Sequence, residues 1–247
     1  METFLILSRS LHILCGTIAF GTGLIAIVAP KGKTLHRKNG IVYVWSMVGV
    51  ALTALLMSFA KPELMRFFVP LSFFTLQLTL TGWRALERKN IRASQAVQIA
   101  KIDWIIAIAS LLSGAVFIGL GAVRFANGGQ MGMVSMVFGV IGLVLALRDI
   151  RRFRRIMNGK PVQRMEWFFA HLTLMLGAYI ATVTAVLVVN GRGLPPLVLW
   201  LGPTVVGGLA ITVWRVYYTK KFRLTTNNTV PQTPRQNPAP ASIEAVL

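Results

Sequence analysis

Seven apolar runs, each long enough or nearly long enough to cross a bilayer, constrain this chain more than any other feature. A helix needs about 20 apolar residues to span the hydrocarbon core. The runs lie at Phe4–Ala29, Ile41–Ala60, Phe67–Leu86, Trp104–Val123, Met131–Leu147, Met165–Val189 and Leu197–Tyr218. They are continuous rather than alternating, which argues against a barrel. The first is too long for the apolar stretch of a signal peptide and has no basic segment before it. The expected fold is therefore all-α, a polytopic membrane bundle of seven transmembrane helices.

The basic residues set the expected orientation. The chain carries 26 Lys and Arg against 7 Asp and Glu, a net charge of +19. Such a balance can mark a nucleic-acid binder, but here the charges sit in alternate connections. Only Arg9, Lys61, Arg66, Arg124 and Arg192 fall on the opposite side. The inside rule then places the N-terminus outside and the C-terminus in the cytoplasm. It accounts for the charge with no nucleic acid, the expected partner of the basic loops being anionic lipid headgroups. The expected organisation is a transmembrane domain over residues 1–223 and a disordered cytoplasmic tail over 224–247, rich in Pro, Asn, Thr and Gln. The single cysteine, Cys15, permits no internal disulfide and no cysteine metal motif.

Small residues make stripes at helical spacing. The first run carries Gly16, Ala19, Gly23 and Ala26 on the face of His12. The fourth carries Asp103, Ala107, Ser110, Gly114 and Gly121, and the fifth Ser135, Gly139, Gly142, Ala146 and Asp149. In a membrane such stripes let backbones approach closely. The same stripes could leave room for a cofactor or a polar cavity.

Ionisable groups at membrane depth point to function. His12 falls about 7 Å outward of the midplane and His171 about 10 Å inward of it, by helical rise. The two are thus too far apart to clamp one haem. A two-haem protein with all-histidine ligation needs four histidines, and this chain has three. A haem between His36 and His171 is conceivable, because both fall on the cytoplasmic side. His36, His171, Asp103, Asp149, Arg164 and Tyr43 form an expected polar site at one depth there, and His12 is a separate buried ligand candidate. A metal or proton-transfer site would use the histidines with a carboxylate. The alternative is that the carboxylates pair with neighbouring arginines.

The stretch "LHILCGTIAFGTGLIAIVAPKGKTLHRKNGIVYVW" resembles the front end of a bacterial family of predicted multi-span membrane proteins, catalogued as domain of unknown function 2306. The resembling residues are His12, Gly16 and Gly23, then Lys31-Gly32, His36-Arg37, Gly40 and Tyr43. "LRDIRR" and "RMEWFFAHL" resemble its second half, and the likeness runs from about Leu11 to Tyr218. It implies a multi-pass protein of the bacterial inner membrane and no activity. From the residues, three functions remain: a protein binding a redox cofactor, haem or quinone-type, through buried histidines; a transporter or proton-conducting protein with His12, Gln77 and His171 along its path; and a scaffold or sensor without chemistry. The cofactor reading ranks first. No nucleophile constellation supports a hydrolase.

Overall fold

A computed structural model describes residues 2–91, 98–160, 162, 163 and 165–229. Every element in it is helical: α1 (Glu2–Val28), α2 (Thr34–Ala60), α3 (Pro62–Leu76), α4 (Lys101–Ala126), α5 (Met131–Met157), α6 (Glu166–Asn190) and α7 (Pro196–Thr229). Six of these, all but α3, are long and apolar enough to cross a membrane. The third apolar run departs from the expected single span. Its helix contains Pro70, passes at Gln77–Thr81 into a π turn, resumes over Gly82–Arg84 and tightens into a 3-10 helix at Ala85–Asn90. A proline cannot donate to the preceding turn, and π and 3-10 turns change the helical pitch.

Residues 1–211 form one compact unit. Within it α1 and α2 make an antiparallel pair. The chain reverses between them at Gly32, whose φ of +77° suits glycine. α4 and α5 make a second pair around a turn with Gly128 at φ +79°. Their seam is backbone on backbone. A Cβ built on Gly121 would stand 2.8 Å from the Gly132 carbonyl oxygen, and one on Gly132 2.5 Å from that of Gly121. Gly114 and Gly139 are related in the same way, at 3.0 and 2.9 Å. The buried residues of α4 are Asp103, Ala107, Ser110, Gly114, Phe117 and Gly121, so the small-residue stripe is the seam.

Gln77 joins α3 to α5 and is 1% exposed. In the orientation that satisfies its amide, it donates to the Gly142 carbonyl at 3.3 Å and accepts from the Ala146 N–H at 2.9 Å. An aromatic cluster of Phe67, Phe74, Phe117 and Phe138, with Trp200 of α7 packed against it, fills the middle. Residues 212–247 form the second unit. It begins inside α7, which is helical through Thr229, into the segment expected as tail. Residues 230–247 lie outside the described residues.

Candidate functional site

All three histidines are held in the same way. His12 Nδ1 lies 3.1 Å from the Val50 carbonyl oxygen and 2.9 Å from Thr53 Oγ1. His36 Nδ1 lies 2.8 Å from the Ala26 carbonyl oxygen, and His171 Nδ1 2.9 Å from that of Gly82. A carbonyl only accepts, so the proton sits on Nδ1 in each ring, and Nε2 presents a lone pair. Fixing one nitrogen this way orients the other, the usual backing of a ligating histidine.

The backing carbonyls come from places where helical hydrogen bonding runs out or changes pitch. Ala26 is in the last turn of α1, whose final carbonyls have no partner within the helix. His36 and the Lys31 ammonium both donate to Ala26, and Lys31 also donates to Ile27. Gly82 follows the π turn of the third run. His36, from α2, and His171, from α6, thereby meet with ring centres 6.3 Å apart and planes at 78°.

The carboxylates expected beside them are elsewhere. Arg84 holds Asp103 with two bonds, Nε to Oδ1 at 2.7 Å and Nη2 to Oδ2 at 3.1 Å. Arg88 reaches the same carboxylate at 3.5 Å, and Arg84 also pairs with Glu87 at 2.9 Å. Arg152 bridges Asp149 at 3.1 Å and Glu166 at 2.8 Å. The first set ties the end of the third run to α4, and the second ties α5 to α6. Burial pulls the Arg88 guanidinium below its ordinary value, with Asp103 working against that. Breaking such a buried pair leaves an uncompensated charge, which is why the network staples the bundle.

The remaining expected residues divide too. Tyr43 is buried and donates to Thr182 Oγ1 at 3.2 Å, whose own proton goes to the Ala178 carbonyl. It lies on the His36 face of α2, two turns further along. Arg164 lies outside the described residues. Of the polar site expected from sequence, the structure brings together His36 and His171, and places Asp103 and Asp149 in the arginine network.

His12 opens onto a feature that no sequence pattern announced. A half-open cavity of about 750 Å³ is lined from α1, α2, α3, α5, α6 and α7. Its wall on α6 extends from Thr173 to Asn190, about 26 Å by helical rise. The lining is mostly hydrocarbon. Thr17, Ser72, Thr75 and Thr184 line it, but spend their protons on carbonyls of their own helices. Thr173, also a lining residue, has its Oγ1 buried with no hydrogen-bond partner. Gly16 also lines the cavity, and a Cβ there would meet nothing within 4 Å. Neither Gln77 nor His171 is part of the wall. Sequence reasoning could not single out Thr173, because its back-bonding threonine neighbours look the same in a sequence.

The sequence pattern of the family described as "Predicted membrane protein (DUF2306)" matches residues 10–144, more than half of the chain. This protein belongs to the DUF2306 family. The match takes in His12, His36, Tyr43 and Asp103; Asp149 and His171 lie beyond it. Neither the curated proteins nor the solved structures gave a match for this DUF2306 protein.

Proposed function

We propose that this DUF2306 protein binds a chain-bearing lipid with a hydroxyl head, of the quinol class, in its central cavity. It does so as a seven-crossing protein of a bacterial cytoplasmic membrane, N-terminus outside and C-terminus inside. The third run supplies the seventh crossing through its continuous helical path from Pro62 to Asn90. The alternation of basic connections supports the orientation.

One observation carries the ligand reading: the His12 imidazole stands in the wall of a 750 Å³ apolar passage with Nδ1 committed to α2 and Nε2 free. Pockets of about 300–1,000 Å³ with a few placed polar groups are the usual size for a small ligand. A neutral imidazole accepts at Nε2, so the head it holds must bring an O–H. Quinols and other lipid alcohols do so, whereas the oxidised quinone offers only acceptors. The rest of the ligand is hydrocarbon, as the walls are.

The test is equilibrium binding of a short-chain quinol to purified protein in mild detergent, wild type against His12→Phe. Losing one neutral hydrogen bond costs about 0.5–1.5 kcal/mol, so binding should weaken roughly 2- to 12-fold. The matching quinone should bind less tightly to the wild type. Equal affinity of wild type and variant, or no saturable binding, sinks the proposal.

A further inference from the structure

We infer that His36 and His171 are the two axial ligands of a haem-type iron macrocycle. The site is separate from the cavity around His12, and the inference does not rest on what that cavity holds.

The spacing of the rings comes first. A metal holds an imidazole nitrogen at about 2.0 Å, and that nitrogen lies about 1.1–1.2 Å from its ring centre, so two imidazoles trans across one iron have centres about 6.3 Å apart. The observed separation is 6.3 Å. Two imidazoles sharing a tetrahedral ion would stand closer, at about 5 Å by the same bond lengths. Both rings are backed for ligation, with Nδ1–H on the Ala26 and Gly82 carbonyls.

Charge decides between a bare ion and a macrocycle. Among the described residues no three ligating side chains gather anywhere. The charged carboxylates at this end of the bundle are held by Arg84, Arg88 and Arg152. The Lys31 ammonium shares the Ala26 carbonyl with His36, beside the pair. A naked divalent cation would meet positive charge there, with no free carboxylate among the described residues paired to it. A porphyrin brings its own ring dianion to neutralise the iron, and its propionates carry two more negative charges. Lys33, Arg37 and Lys38, exposed around the start of α2 near His36 in sequence, would supply cations for such propionates.

Room is present on the same face. Gly40 is one turn beyond His36 on α2, between it and buried Tyr43, and a Cβ at Gly40 would meet nothing within 4 Å. That open space beside His36 would take the edge of a macrocycle.

The experiment is absorption and low-temperature paramagnetic resonance spectroscopy on the full chain, purified from haem-supplied cells and reconstituted with haem if pale. One haem per chain is expected, six-coordinate and low-spin. Rings at 78° should give the large-g signal of nearly perpendicular imidazoles, not the rhombic signal of parallel ones. His171→Met and His36→Met should each change the axial-ligand spectrum, whereas His12→Phe should leave it unaltered. Because His36 also caps α1, His36→Gly with added imidazole is the companion variant, and imidazole should restore the spectrum. Three results would overturn the assignment: protein that stays colourless after reconstitution, a spectrum indifferent to both methionine variants, or zinc or copper in place of iron. Quinol binding measured on the same samples keeps this outcome separate from that of the cavity.

Discussion

Two glycine-bearing faces of this protein look alike in sequence and do opposite things. On α4 and α5 the glycines close a seam in which one backbone rests on another, with no volume for even a methyl group. On α1 the glycine one turn from His12 closes nothing and borders a cavity. The difference comes from what stands opposite. The α4 stripe meets a second small stripe on α5, and helix–helix attraction in a membrane rewards such close approach. The α1 stripe meets larger side chains of α2 and α6: Gly23 packs closely on the Tyr43 and Tyr179 rings, while a Cβ on Gly16, two turns earlier, would meet nothing within 4 Å. A backbone-on-backbone seam thus needs small residues on both helices; a glycine facing larger side chains either seats a ring, as Gly23 does, or borders open space, as Gly16 does.

The seam should be the costlier place to disturb. At one end of it Asp103 is held by Arg84 and Arg88, and Asp103→Asn removes a buried charge from between them. Unfolding in detergent should reveal a loss of about 3–5 kcal/mol. A negligible loss would mean that water screens this network. Higher on the seam, Gly121→Ala places a methyl group against the Gly132 carbonyl and the Met136 main chain. Backbone cannot step aside as a side chain can, so the same assay should read about 1–3 kcal/mol. On the open face, Gly16→Ala should change stability by less than about 0.5 kcal/mol, since nothing stands near the added carbon. If Gly16→Ala cost as much as Gly121→Ala, the contrast between the two faces would fail.

The sequence carried the helices and much of the seam. Every apolar run became helix, because in hydrocarbon a chain satisfies its main-chain groups only within a helix or a closed barrel. The α4 and α5 stripes, Asp103 through Gly121 and Ser135 through Asp149, coincide with buried residues because both patterns obey one helical period. The third run was read as an unbroken span, since its hydropathy does not register the pitch changes after Pro70. The site was legible in its parts but not in its grouping. Helical rise put His36 and His171 on one side, and they do meet. The same arithmetic put Asp103 and Asp149 at that depth, but depth fixes only one coordinate of three, and the arginines of neighbouring turns claimed them. The cavity and Thr173 were invisible, because a void follows from how six helices diverge and no single segment encodes it.

The most direct measurement of the central claim is solvent extraction and mass spectrometry of the lipid that stays with the purified protein, wild type against Gly16→Phe. The phenylalanine would project into the passage with little strain elsewhere. The wild type should retain a chain-bearing hydroxyl lipid at about one per chain, and a Gly16→Phe protein of unchanged helix content should have lost it. That variant should also unfold at a lower temperature, because the bound lipid stabilises the folded state. The same complement of lipid in both proteins, or none in either, would contradict it.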